Sequence, residues 1–432
     1  MAITIVDSPY EWTPAGQKLM YVASSTNVAE TGFRYRIRVV IDSTGDEYTF
    51  YIPAHPSDDN LYYDLASLVK LRNNESLTNL HNHAQTISEP AGNGYDIYDV
   101  YIGEAWIVSG ALTYNAGSEE LWTGVVMNGY YQVTDGYRPD VFTGTRDIRY
   151  ALTNTESYVM SDRKHNTHKW RFSDSFNLAA SDSRVFIPVR ETDWGVITLP
   201  VDSTFMTNNQ AGYVRITIMK ADGTFTTPAY NLPLTGDDIE HVGVYPANLN
   251  ADVTAGVPQP SDYPNWRVIN VRVMSAALAQ RSVNYYLYNA QLYGSYDCQW
   301  NNIRLGWVNS RGGWDYFNFN KKSETSLNIE RKRYQRVLFD GTTNIFNANA
   351  RGLTERGNIV NKQIQATSDW IQEGEFEFLK SLFMSNEVHW IQDDGTYIPV
   401  NVEDTTYLKR IIRDGKQYNQ TITITLTNQL NA

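Results

Sequence analysis

Apolar and polar residues alternate with a period of two through most of this chain, and that period fits strands and little else. In FRYRIRVVI (33–41), Phe33, Tyr35, Ile37, Val39 and Ile41 share one side of an extended backbone and Arg34, Arg36 and Arg38 take the other, since successive strand side chains point to opposite faces. This predicts a half-buried strand with its arginines in water. The pattern recurs in YTFYI (48–52), YDIYDVYIGEAWIV (95–108), GVVMNGYYQV (124–133), SRVFIPVR (183–190), YVRITIMK (213–220), WRVINVRVM (266–274) and QTITITLT (420–427). Asp-Gly pairs begin at Asp135, Asp222, Asp340, Asp394 and Asp414, and such pairs supply the positive-φ geometry of tight hairpins. Those at 222 and 394 lie between alternating runs. With 30 tyrosines, 11 tryptophans and only 19% charged residues, composition agrees. The expected fold class is mainly β: multidomain antiparallel β-sandwiches or barrels with a few short helices.

Helical spacing is scarce. Leu61, Leu65, Leu68 and Val69 suggest a helix in LYYDLASLVKLR (61–72). SDWIQEGEFEFLKSLFMS (368–385) is stronger, with Ser368 or Asp369 as the cap and Ile371, Phe378, Leu379 and Leu382 on one face. Three domains are expected: an N-terminal β-sandwich over 1–160, a second β domain over 161–262, and a C-terminal β-rich domain over 263–432. The proline-containing stretch NADVTAGVPQPSDYPNW reads as a linker or long loop between the last two.

Several functions lose support. The single cysteine, Cys298, forbids an intrachain disulfide and reads as a small buried hydrophobe. No cofactor is expected, for the chain has no P-loop, nucleophile elbow or H-E-x-x-H helix. His81 with His83, and His165 with His168, supply two nitrogens each, where catalytic zinc takes three protein ligands. The acid pairs Asp58-Asp59, Glu119-Glu120, Asp237-Asp238 and Asp393-Asp394 read as solvated turns. The expectation is therefore a protein that is not an enzyme. A formal charge of -12 argues against general nucleic-acid binding. The N-terminus does not read as a secretory signal and no stretch approaches the ~20 apolar residues of a membrane span. The chain thus reads as a soluble protein made in a reducing compartment, without a membrane partner.

One segment stands apart. IRLGWVNSRGGWDYFNFNKK (303–322) places Trp307 and Trp314 around Gly312-Gly313 and predicts a hairpin whose tip is Asn309 to Gly313, with aromatics paired across it as core. Gly312 and Gly313 would permit the tight turn, Asp315 would accept backbone hydrogen bonds, and the tryptophans would fill the core. Residues 303–356 carry ten basic against five acidic side chains, a surplus of +5 that leaves -17 for the remainder. Such a split lets subunits meet positive face to negative face. Lys321, Lys322, Arg331, Lys332 and Arg333 are the candidates for that contact.

The Trp307-x-Asn309-x-x-Gly312-Gly313-x-Asp315 core resembles a segment of virion structural proteins of tailed bacteriophages. The C-terminal run from Gln365 to Asn431 is similar to the ending of those proteins: helix, strand, Asp-Gly hairpin and a last strand closing on Asn-Gln. SPYEWTPAGQKLMYVASS (8–25), followed by FRYRIRVVI, resembles their N-terminal β domain. The likeness touches both ends and the centre of the chain, about half of it, and is weak between about 140 and 260. It implies a non-enzymatic building block of tail, baseplate or neck, made in the host cytoplasm and residing in the virion. Its implied partners are copies of itself and other virion proteins, with a role in supporting receptor-binding fibres, and no catalytic residues carry over. It also implies a C-terminal β-barrel with one flanking helix. The rival reading is a carbohydrate- or host-receptor-binding protein that meets a surface glycan through exposed aromatics.

Overall fold

The computed structural model describes residues 3–9, 12–16, 18–42, 44–70, 86–88, 95–127, 129, 159–163, 184–201, 212–234, 239–292, 300–335, 339–340, 345–346, 352–371, 373–404, 419–426 and 430–431. These are mainly strands arranged in several antiparallel and mixed sheets. No helix among them is long and apolar enough to cross a membrane. Cys298, both histidine pairs, Asp237-Asp238 and the Asp-Gly pairs at 135 and 414 fall outside the described residues.

In the N-terminal part, Arg34–Ile41 pairs with Asp46–Ile52 on one side and Tyr95–Val108 on the other, and Ala111–Met127 and Trp12–Pro14 complete the sheet. A second sheet of Ile3–Asp7, Met20–Ser25 and Leu61–Asp64 faces it across a core of Tyr21, Tyr35, Ile37, Val39, Tyr98 and Val100. Here the period-two reading places the core face correctly. The opposite face differs: Arg36 and Arg38 are half-buried, pair with Glu119, and lie 4.2 and 3.7 Å from the ring centres of Tyr114 and Tyr101. Long arginine stems cover aromatic surface while the guanidinium groups keep an acid partner. The helix expected over 61–72 is shorter, because Leu61–Asp64 is a strand paired with Met20–Ala23 and the helix is only Ala66–Lys70. Asp64 sets the change of geometry by accepting the Leu19 and Ala66 N–H groups at 3.0 Å.

The central part is a five-stranded sheet ordered Arg184–Val189, Asn284–Asn289, Val268–Met274, Tyr213–Met219, Tyr230–Pro233, with the first pair parallel. Its apolar face packs against Val196–Pro200 and Ile239–Gly243, and Thr86–Ser88 pairs with the latter strand. This sheet takes strands from both sides of the 262/263 limit, so the limit runs through one hydrogen-bonded unit. The stretch 250–266 is a long loop: it follows the helical turn Pro246–Ala251, is exposed over 253–256, with Val253 95% exposed, and packs back through Val257, Pro258, Pro260 and Trp266. Val257 and Trp266 belong to the same core as the strands on either side, so the loop does not separate two domains.

The last part is one long sheet in the order Trp314–Phe319, Ile303–Val308, Val388–Ile391, Tyr397–Val402, Thr421–Leu426, Leu353–Thr367, Ser323–Gln335, with Leu430–Asn431 also on the Leu353–Thr367 strand. The helix Glu373–Met384 lies against it through Phe376, Phe378, Leu379 and Leu382. Ser368 and Asp369 precede this helix by a full turn and do not cap it. Ser368 instead donates its backbone N–H to the Gln420 carbonyl at 2.8 Å, and its hydroxyl accepts the Gln420 N–H at 2.8 Å. Turns form at the Asp222 and Asp394 pairs, with Gly223 at φ 86° and Gly395 at φ 87°.

Candidate functional site

The 303–319 segment folds as a hairpin with Ile303 opposite Phe319, Val308 opposite Trp314, and a tip of 309–313. Every residue of both strands is buried, so Arg304 on the second face does not reach water. The hairpin is buried on both sides because it separates two cores. Ile303, Leu305, Trp307, Phe317 and Phe319 face the helix, while Val308, Trp314 and Tyr316 enter the central core. Trp307 is fully buried, donates its ring N–H to the Ser381 hydroxyl at 2.9 Å, and lies 5.1 Å from Phe378. Burial of ~150–250 Å² per large aromatic, at ~25 cal/mol per Å², gives about 4–6 kcal/mol before ordering entropy. Trp314 stacks on His389 at 5.7 Å.

The tip is held by side chains rather than left to solvent. Asn309 Oδ1 accepts the Arg311 and Gly313 N–H groups at 2.9 and 3.1 Å, and its Nδ2 donates to the Met160 carbonyl and to Asp315 at 2.8 and 2.9 Å. Gly312 has φ 82°, a left-handed conformation that glycine adopts without strain. At Gly313 a Cβ would collide with the Met160 carbonyl, so close approach is what requires glycine there. Asp315 accepts the Ser161 hydroxyl at 2.6 Å and the Asp162 N–H at 2.9 Å, and Asp162 in turn accepts the Ser310 N–H at 2.9 Å. The tip is thereby clamped to residues 159–163.

Burial, with Asp162 adding to it, pushes the Asp315 carboxyl up to about 6. Because the folded value lies above the ordinary 3.8, the folded state binds more protons between those limits, and stability contributed at low pH is lost as pH rises to about 6. Buried His241 is pushed down to about 4 and acts with the opposite sign over nearly the same window, so the intact protein shows little net slope from this pair. In Asp315→Asn the histidine contribution remains and the carboxyl one is gone. The variant's stability deficit should therefore shrink by roughly 2–3 kcal/mol from pH 4 to pH 6.5, measured by urea unfolding at intervals across that range. A constant deficit would show that Asp315 is ionised throughout.

A buried ion pair lies on the hairpin's other face. Arg304, 2% exposed, donates to Asp193 at 3.2 Å, to the Trp194 carbonyl at 2.9 Å and to Asn318 Oδ1 at 3.2 Å. Asp193 is fully buried and also takes the Arg190 N–H and Nε–H at 2.9 and 3.0 Å. Arg190 continues outward to Asp393 at 2.6 Å. Arg304 and Asp315 are therefore structural and must be removed from the 303–356 charge island. Arg311 lies in the hairpin tip beside Asp162, Arg336 and Arg351 fall outside the described residues, and the other basic residues belong to a different element.

That element leaves the sheet directly after the hairpin. Ser323–Gln335 and Leu353–Thr367 pair along their lengths as an antiparallel ribbon, and Ser323–Gln335 is the sheet edge, half-exposed at its first residue and exposed at the other twelve. At the root, Ile364 and Ala366 are buried in the helix-side core. The same face runs outward through Leu327 opposite Lys362 and Ile329 opposite Val360, where Leu327 is 60% and Ile329 44% exposed. A core stripe thus continues into solvent. Among the described ribbon and root residues, 321–335 and 352–367, seven are basic and three acidic. Lys321 lies 3.6 Å from Asp369, Lys322 pairs with Glu324, and Arg331 and Arg333 both reach Glu355 at 3.3 and 3.4 Å. Arg331, Lys332 and Arg333 are all exposed, beside a bulge at Lys332/Arg333. Charges and a bulge on an edge strand discourage indiscriminate strand pairing.

The structure thus separates the hairpin residues, which are interior, from the contact candidates, which line the ribbon. Ser161, Asp162, Met160 and Asp193 complete the hairpin's surroundings, and no local sequence signal marks them. Of the acid pairs, Glu119 is engaged by arginines, Asp393 by Arg190, and Asp58 by His55 and Tyr62. Among the described residues no group of three or more His, Cys, Asp or Glu is placed to hold a metal. No protein-family model matches the chain, and no curated protein matches it in sequence.

Proposed function

We propose that this chain is a non-enzymatic structural subunit of a tailed-phage virion, in tail, baseplate or neck, and that it joins a second copy of itself through the 323–367 ribbon. The observation that carries the assembly reading is the ribbon's apolar stripe, Leu327, Ile329 and Val360, which prolongs a core face beyond the residues that cover it. Leaving such a stripe in water forgoes roughly 25 cal/mol per Å² of apolar area, and an edge strand offers unpaired backbone groups alongside it. Charge chooses the occupant: the ribbon is basic and the remainder of the chain strongly acidic, so another copy presents the complementary sign. The virion context rests on the sequence resemblance. It is tested by immunogold electron microscopy with antibody against this chain on purified particles. Gold at the tail tip or collar is the expected result; unlabelled particles whose digests lack the chain would refute it.

A further inference from the structure

Of the central sheet's two faces, one is the main core and the other carries a smaller apolar cluster that includes Phe186, Met219, Val268, Tyr286 and Tyr288. On this second face, Thr217, Asn270 and Tyr286 form a row across three adjacent strands, with Arg215 and Arg272 as the neighbouring pair. Two segments, 225–229 and 280–284, wall this face into an open cleft of about 790 Å³, within the ~300–1,000 Å³ range of small-molecule sites. Its polar groups are poorly satisfied. Asn270 and Asn284 are 5% and 7% exposed, yet their Oδ1 atoms have no hydrogen-bond partner, and neither does Arg272 Nε. Buried acceptors and donors without partners are uncommon in folded proteins and mark a place where a ligand or water completes the set.

The lining identifies the ligand's chemistry. Arg272 and Arg281 are present and, among the described residues, no carboxylate lines the cleft, in a chain of net charge -12. Burial and the charge of Arg215 lower the Arg272 pKa, so an anion placed there relieves a desolvated cation. Two amide oxygens call for hydroxyl donors. Phe225, half-buried at the wall, offers an apolar surface to a ring. Anion, hydroxyls and a C–H face together describe one class of ligand. We infer that this cleft binds an acidic sugar residue, with its carboxylate at Arg272 and Arg281 and its hydroxyls donating to Asn270 and Asn284. The inference rests on the cleft alone and is independent of assembly through the ribbon.

The test uses the full chain, with D-glucuronate, D-glucose, sulfate and a glutamate peptide titrated by calorimetry and by saturation-transfer NMR. Glucuronate should bind about tenfold or more tightly than each of the other three. Arg272→Gln should weaken it by a similar factor, and so should Arg281→Glu, which alters an exposed side chain and leaves the fold intact. The ribbon variant described below should bind as the parent does. Equal binding of glucose and glucuronate would overturn the anionic part of the assignment. Sulfate or peptide binding as tight as glucuronate would overturn the sugar part, and glucuronate binding indifferent to both arginine variants would place it elsewhere.

Discussion

Arg304→Ala should cost about 3–5 kcal/mol of folding stability, because it strips a fully buried carboxylate of one of its two arginine partners. Asp193 is fully buried, and Arg304 and Asn318 both tie it to the hairpin. Arg190 and Asn318 would still donate to that carboxylate, which limits the loss and keeps it short of the bare desolvation penalty. The removed guanidinium also leaves a gap between Tyr245 and Tyr316, whose rings lie 4.8 and 4.9 Å from it. An exposed ion pair would contribute ~1 kcal/mol at most, so magnitude decides between the two descriptions. Urea unfolding of the variant, with Asp193→Ala and the double variant closing a thermodynamic cycle, gives the coupling directly. A single-variant loss under about 1 kcal/mol would show the pair to be replaceable.

The second large effect concerns association rather than folding. Changing Arg331, Lys332 and Arg333 together to glutamate turns the described ribbon and root from seven basic and three acidic residues to four and six. Like charge would then face the acidic body of the neighbouring copy, and like-charge juxtaposition costs several kcal/mol. The self-association expected of the parent, followed by sedimentation velocity, should disappear over at least a hundredfold range of concentration, given ~1.4 kcal/mol per factor of ten. The monomer should unfold within ~1 kcal/mol of the parent, since these side chains are exposed and their Glu355 pairs are superficial. Parent association should also weaken with salt as the screening length falls from ~10 Å at 0.1 M to ~3 Å at 1 M.

Strand identity was legible because it is local. Ile37, Val39 and Val100 declare their face by spacing alone, and Gly223 and Gly395 declare their turns by their aspartate neighbours. The 303–319 hairpin and its tip were legible for the same reason. Its second buried face was not: Arg304 reads as a solvent residue until Asp193, over a hundred positions earlier, is brought beside it. The same limit applies to the cleft, where WRVINVRVM puts Asn270 and Arg272 on one face but cannot show that 225–229 and 280–284 wall that face. It explains the domain limits too, since Pro258 and Pro260 suggest a linker from composition while Val257 and Pro260 are packed. The charge island around 303–356 was visible, but sorting its buried members from its exposed ones needed the sheet order.

The most direct test of ribbon-mediated assembly is carbodiimide crosslinking of a mixture of isotope-labelled and unlabelled chains, followed by peptide mass spectrometry. This reagent joins lysines to carboxylates in contact, and the isotope mixture separates links between copies from links within one. Mixed-isotope links are expected from Lys321, Lys322, Lys332 or Lys362 to aspartates or glutamates outside the ribbon. Between-copy links that avoid all four of these lysines, from a sample that sediments as an oligomer, would contradict ribbon-mediated assembly.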